Sequence, residues 1–246
     1  MINVHFEAMD RQSMALIKSA EKMAKFLREN EPYMRPFCDI LRNSAKWRYI
    51  NCKKEMEDFK CQILKKRKKS KTDNIYITLL GALFGHIRSD DDLNNIRGIM
   101  PEQILLCQVE QSHFRNDGWR IETGCAVKIN NQKIVCKTSA GYLEKIKQTV
   151  DLGAWQHNQQ IGRFVETKVA PGTFRKPDGD YLKSLRAALR HYQEVQFKIY
   201  IFAIDRKELV RNAVSQAGYD IDVNTEIIGR DDVFQTNFLE IRSQAS

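Results

Sequence analysis

Three side chains in the second half of this sequence have the types and spacing to work on a phosphate ester: Asp151, Glu166 and Lys168. Glu166 and Lys168 stand two residues apart in GRFVETKVA, which reads as a β-strand over 162–170, and side chains at i and i+2 of a strand share a face. Asp151 stands in VDLGAW, a second strand over 150–155, and the polar QHNQQ between the two supplies a turn. A short turn brings Asp151 alongside the face that carries Glu166 and Lys168. Two carboxylates suit Mg²⁺, which takes a few carboxylate oxygens and completes its shell with water and phosphate. A metal held there polarises a phosphate and lowers the pKa of a bound water. Lys168 can orient or help deprotonate that water, or stabilise charge developing on phosphorus. An ammonium in a protein interior needs a carboxylate or substrate partner, and Glu166 is the nearest.

An acid-x-Lys tripeptide is short, and the chain holds three: Asp58-Phe-Lys60, Glu166-Thr-Lys168 and Asp205-Arg-Lys207. The first lies in a highly charged helical stretch. The third falls where a strand passes into a helix, and the i, i+2 geometry is lost. Only the second lies inside a strand with an Asp on a predicted neighbouring strand. A competing set, Pro177-Asp178 with Gln196-Phe-Lys198, is separated by a helix instead of a hairpin turn. The bland alternative is an exposed Glu–Lys pair on a sheet face. Asp90, Asp91 and Asp92 are adjacent, so their side chains diverge, and they read as a solvated loop or a helix cap.

The elements that must position these residues can be read from periodicity. Residues 8–29 and 37–67 read as amphipathic helices, broken by EPYMRP, and 75–87 as a buried apolar segment. Residues 101–114 read as a helix with Pro101 in its first turn. A hairpin is expected over 119–137 around Asn130-Asn131, then a short helix over 141–149. After the 150–155 and 162–170 strands come an amphipathic helix (180–194), the apolar strand VQFKIYIFAI (195–204) and a helix over 206–217.

The chain has 246 residues, 42% hydrophobic and 29% charged, enough for one sizeable core with a smaller helical region beside it. Its net charge of +9 is lopsided. Residues 1–71 carry 18 Lys/Arg against 9 Asp/Glu, and the remainder is balanced at 22 of each. We therefore divide the chain into a basic helical region, 1–72, for polyanion binding or dimerisation, and a core domain, 73–246. The run KKRKKSK, with Lys65, Lys66, Arg67, Lys68 and Lys69, is a candidate for phosphate contact; a localisation signal and a solvated linker are the alternatives.

With the elements in place, VDLGAW and GRFVETKVA, with the helix and strand that follow, resemble the PD-(D/E)xK nuclease superfamily over about 100–205. The resemblance implies an α/β (α+β) fold: a restriction-endonuclease-like mixed central sheet flanked by helices, in the order helix, three strands, helix, strand. It makes Asp151 the motif's Asp, and Glu166 and Lys168 its ExK, with Asp151 and Glu166 as ligands to Mg²⁺. Val150 stands where the motif has Pro. Family members often add an earlier acid, for which Glu122 is the first candidate and Glu102 or Glu110 the others. His157 and Gln160, in the turn, are candidate DNA contacts. Among these nucleases, a chain of this size with its own helical region most resembles a type II restriction endonuclease. That implies a homodimer cutting double-stranded DNA at a short specific site, in the cytoplasm of a prokaryote or phage. Base readout would come from Arg and Lys to guanine and Asn and Gln to adenine.

Two other readings make different predictions. A structure-specific repair or recombination nuclease has the same site but reads DNA by shape. A non-catalytic basic DNA-binding protein binds through residues 1–71 in a salt-sensitive, metal-independent way. Other classes lack their signatures: there is no P-loop, GxGxxG, GxSxG or HExxH. The six cysteines form no CxxC pair and read as reduced packing residues, against a zinc site. No apolar run is long enough to span a membrane, and MINVHFEAMDRQ has charges where a secretion signal needs an apolar stretch, so an intracellular protein without a membrane partner is expected.

Overall fold

The candidate residues sit on strands whose composition leaves little choice of structure. The computed structural model describes residues 2–9, 13–65, 70–110, 118–140 and 143–239. Its strands are β1 (Val4–Ala8), β2 (Trp119–Ile129), β3 (Gln132–Lys133), β4 (Cys136–Ala140), β5 (Leu143–Lys147), β6 (Val150–Gln156), β7 (Ile161–Lys168), β8 (Gln196–Ala203) and β9 (Thr225–Ile228). Its helices are α1 (Met14–Glu29), α2 (Met34–Asn43), α3 (Tyr49–Lys65), α4 (Lys71–Phe84), α5 (Asp90–Glu110), α6 (Lys176–Arg190) and α7 (Lys207–Gln216). Close contacts divide the chain into two units, 12–107 and 1–11 with 108–246.

The second unit is built on a mixed sheet in the order β1-β2-β6-β7-β8-β9, with β3 paired to β2. Pairing is antiparallel from β1 to β7 and parallel from β7 through β8 to β9. After β1, the chain order within this unit is β2, β3, β4, β5, β6, β7, α6, β8, α7, β9, an α+β arrangement. β8 is buried along nearly all its length, as its apolar run requires of a central strand flanked on both sides. α6 covers one sheet face with Tyr181, Leu182, Leu185 and Leu189, all wholly buried against Phe164, Ile199 and Ile201. Pro177 stands in its first turn, and Asp178 Oδ2 accepts the Arg175 N–H at 2.8 Å, so the helix start is both preset and capped. Close packing also constrains β6: a Cβ on Gly153 would lie 2.5 Å from the Phe6 ring of β1.

The first unit is helical. Ser70 Oγ accepts the Asp73 N–H at 3.0 Å, and Asp73 Oδ2 accepts the Ser70 N–H at 2.9 Å, a capping box that starts α4. Tyr76 of α4 stacks on Phe26 of α1, centroids 5.8 Å apart, which ties α4 to the N-terminal helices.

Several expectations change here. The division falls after residue 107 instead of 72, because α4 packs with the helices before it, and β1 leaves the helical region to pair with β2. The single helical stretch expected over 37–67 holds two helices among the described residues, α2 and α3. Pro101 lies inside α5, and Asp90, Asp91 and Asp92 form that helix's first turn. Residues 141–149 contain no described helix; β5 pairs antiparallel with β4 in a separate two-stranded sheet.

Candidate active site

Asp151, Glu166 and Lys168 are brought together where two strands part. β6 and β7 pair from Gln156↔Ile161 to Leu152↔Val165. One step further along the register would set Asp151 opposite Glu166, with both side chains on the same face. There a side chain replaces the backbone ladder. Asp151 Oδ2 accepts the Thr167 N–H at 2.5 Å and the Thr167 Oγ1 hydroxyl at 3.0 Å. No other hydrogen bond to Asp151 occurs among the described residues.

Glu166 is wholly buried. Its Oε1 accepts from Lys168 Nζ at 2.5 Å and from Lys147 Nζ at 2.7 Å. Asp178 Oδ1 faces the same two ammonium groups, 2.9 Å from Lys147 and 3.3 Å from Lys168. Two lysines and two carboxylates therefore close a ring of ion pairs, with Asp151 beside it. The other oxygen of Glu166, Oε2, is buried and has no hydrogen-bond partner among the described residues. A buried carboxylate oxygen left without a donor or cation is costly, and native structures hold few of them.

The charges act on one another as this geometry requires. Burial, then the charge of Asp151, pushes Glu166 up from the ordinary carboxylate range against the pull of both lysines. Burial works against the Lys168 ammonium, but Glu166, Asp151 and Asp178 outweigh it and hold its pKa well above the usual lysine value. Lys147 moves up by the same balance, led by Glu166 among the charges. Burial opposes the ionised form of Asp178, yet Lys168 and Lys147 win and hold its carboxyl below the usual range.

The remaining candidates fall elsewhere. Glu122 lies on β2 opposite Gly153, and among the described residues no side-chain hydrogen bond or ion pair ties it to the cluster. Its charge acts on Cys125, whose thiol is pushed up to about 12, first by burial and then by Glu122. The third carboxylate of the cluster is Asp178. Glu102 lies in α5, and the side chain of Glu110 is outside the described residues. Gln160 does not present its amide outward. It is buried, its Oε1 accepts the Ile2 N–H at 2.7 Å, and its Nε2 donates to the His157 carbonyl at 2.8 Å. Gln160 and the exposed His157 occupy the turn of the hairpin, at the opposite end of β6 and β7 from Asp151 and Lys168. This argues against their touching a substrate held at the cluster. Lys65 ends α3, and Lys66, Arg67, Lys68 and Lys69 lie outside the described residues. Lys198 cannot join Asp178 as a second motif: it pairs with Glu226 at 2.6 Å and shares the register of Arg163, which puts it on the sheet face away from Glu166.

Two carboxylates and a partnerless oxygen fit a hard divalent cation that keeps much of its water. Among the described residues no group of three or more His, Cys, Asp or Glu is placed to hold a metal ion.

No family model and no curated protein matches the chain. Among solved structures, the crystal structure of protein VC1899 from Vibrio cholerae aligns with a TM-score of 0.46 at 14% identity, covering 94% of this chain. The chain spans 56% of that structure's length. No helix among the described residues is long and apolar enough to cross a membrane.

Proposed function

We propose that the chain is a magnesium-dependent endonuclease that hydrolyses phosphodiester bonds of double-stranded DNA at a short specific site, as a type II restriction endonuclease does. One observation carries the reading: wholly buried Glu166 keeps an oxygen without a partner beside Asp151, while its other oxygen holds Lys168. Asp151 and Glu166 would hold the metal. When bound, it supplies positive charge against the phosphate and a more acidic water. The residues of the chain do the rest. Glu166 holds the Lys168 ammonium at the mouth of the cluster, where it orients the attacking water or meets the charge that develops on phosphorus. Thr167 fixes Asp151 through two hydrogen bonds, so the carboxylate is placed before substrate arrives. Water adds to phosphorus, one P–O ester bond breaks, and the products are a phosphate monoester and an alcohol.

Duplex DNA is the substrate that suits the excess positive charge of residues 1–71. A homodimer, acting in the cytoplasm, would present one such cluster to each strand. The reading of a DNA-binding protein without catalysis treats Asp151 and Glu166 as silent surface residues, and the complete burial of Glu166 speaks against it.

The test is incubation of the purified chain with phage-sized duplex DNA, in Mg²⁺ and in EDTA, beside Glu166→Gln. Discrete fragments that need Mg²⁺ and vanish in the variant are expected. Uncut DNA in every lane, with salt-sensitive binding, would remove the enzyme reading and leave the binding protein.

A further inference from the structure

Lys147 lies outside the three-residue pattern that drew attention to this site, yet it shares both acceptors of Lys168. Each ammonium reaches Glu166 Oε1 and Asp178 Oδ1 within 3.3 Å, and each lysine side chain is 18% exposed. Lys147 arrives from a different part of the chain, the last residue of β5 in the separate two-stranded sheet. Glu166 Oε1 thus receives two ammonium groups, and burial costs each of them hydration.

We propose that Lys147 is a second substrate-binding cation of the site, held by Asp178 and turned onto a DNA phosphate when a divalent metal takes up Glu166. The inference rests on the nuclease reading and deepens it. Charge balance supports it. Asp151, Glu166 and Asp178 face Lys147 and Lys168, which leaves one net negative charge in the cluster. A divalent cation reverses that sign, and a single phosphodiester closes the balance. Asp178 is suited to retain the lysines through the exchange. Its Oδ2 is committed to the Arg175 N–H, so its Oδ1 stays aimed at both ammonium groups while Glu166 changes partners. With only two carboxylates available to a metal, the second positive charge beside the phosphate comes from Lys147 instead of a second ion.

The test compares wild type, Lys147→Met and Lys147→Arg on a duplex, with three readouts. Cleavage in Mg²⁺ gives kcat and KM. DNA affinity against salt is measured in Ca²⁺, under conditions where wild type leaves the duplex uncut. Metal affinity of the free protein is measured by calorimetry. Lys147→Met is expected to lower kcat about 100-fold, the scale of one lost donor to a reacting oxyanion. It should reduce the slope of log affinity against log salt by about 0.9, the value of one lost phosphate contact. Lys147→Arg should restore most of both, and metal affinity should not fall in either variant. If Lys147→Met does not fold, Lys147→Gln takes its place, being neutral yet able to donate to Glu166. The proposal is overturned if the neutral variant cleaves like wild type. It is equally overturned if metal affinity collapses while the salt slope stays unchanged, since Lys147 would then only position Glu166. A wild-type chain that cuts no duplex DNA removes the nuclease reading itself, which is a separate outcome from a wild type that cuts beside a variant that cuts equally well.

Discussion

Gln160 and Glu166, at opposite ends of the hairpin of β6 and β7, bury their polar groups in opposite ways. At the turn, Gln160 has a left-handed φ of 53° and lies buried, but every polar group is satisfied: the amide oxygen takes the Ile2 N–H, the amide nitrogen gives to His157, and the carbonyl takes the Gln196 N–H. At the open end, Glu166 has one oxygen shared by two ammonium groups and one with none. A polar residue that is saturated from within is holding the fold. One that is left short invites a ligand. Both residues are buried, so burial alone does not tell them apart.

The largest expected effect belongs to the open end. Glu166→Ala leaves two buried ammonium groups with Asp178 as their remaining partner, so it should lose about 3–5 kcal/mol in urea unfolding and all Mg²⁺-dependent cleavage. Glu166→Gln, which keeps the volume, should still cut at least about 100-fold more slowly. Wild-type rates in Glu166→Gln would erase the distinction between the ends.

The next effect is linked to pH. The carboxyl of Glu166 is raised in the folded chain. Its contribution to stability is therefore complete below the unfolded value, about 4.3, and is lost as pH rises through the folded value. On the proposed function, a bound metal would compensate for that loss. Mg²⁺ at a hundred times its dissociation constant should add about 2.7 kcal/mol to stability near neutral pH. The gain should shrink as pH falls and protons compete for Glu166. Melting temperatures with and without Mg²⁺ across this range check the sign, and a gain that grows on acidification would contradict it.

At the turn end, Gln160→Ala should cost about 1–3 kcal/mol, since it leaves the buried Ile2 N–H without an acceptor. Cleavage per folded molecule and DNA affinity should not change. A loss of DNA affinity in this variant would show that the turn also reads substrate. The smallest effect is expected at Thr167→Val, which keeps the shape and the backbone bond to Asp151 but removes the 3.0 Å hydroxyl bond. It should cost about 1 kcal/mol, with a modest fall in rate, measured by the same assays.

Much of the frame was legible. β6, β7 and β8 follow from apolar runs bounded by turn residues, and the i, i+2 rule was enough to place Glu166 and Lys168 on one face. What escaped did so for identifiable reasons. β1 is a five-residue strand whose partner lies beyond the whole helical unit, so nothing local marks it. Lys147 was hidden because LEKIK has helix-forming residues, and only pairing with β4 makes it a strand. Asp178 was weighed as a motif residue paired with Lys198. Its place in the cluster instead depends on how the first turn of α6 returns over the sheet, which spacing in sequence does not encode. Gln160 looked outward because turns usually do, and its left-handed backbone turns the amide in.

β1 has one more consequence, for how the molecule is made. Val4 to Ala8 are synthesised before their partners, Ile129 to Cys125, which arrive only after the helical unit has emerged. At ordinary rates of translation the gap is roughly ten seconds. Until then Phe6 has no Gly153 to cover, and the strand must wait without a ladder. β1 is thus a late clasp on the sheet that carries Asp151, Glu166 and Lys168.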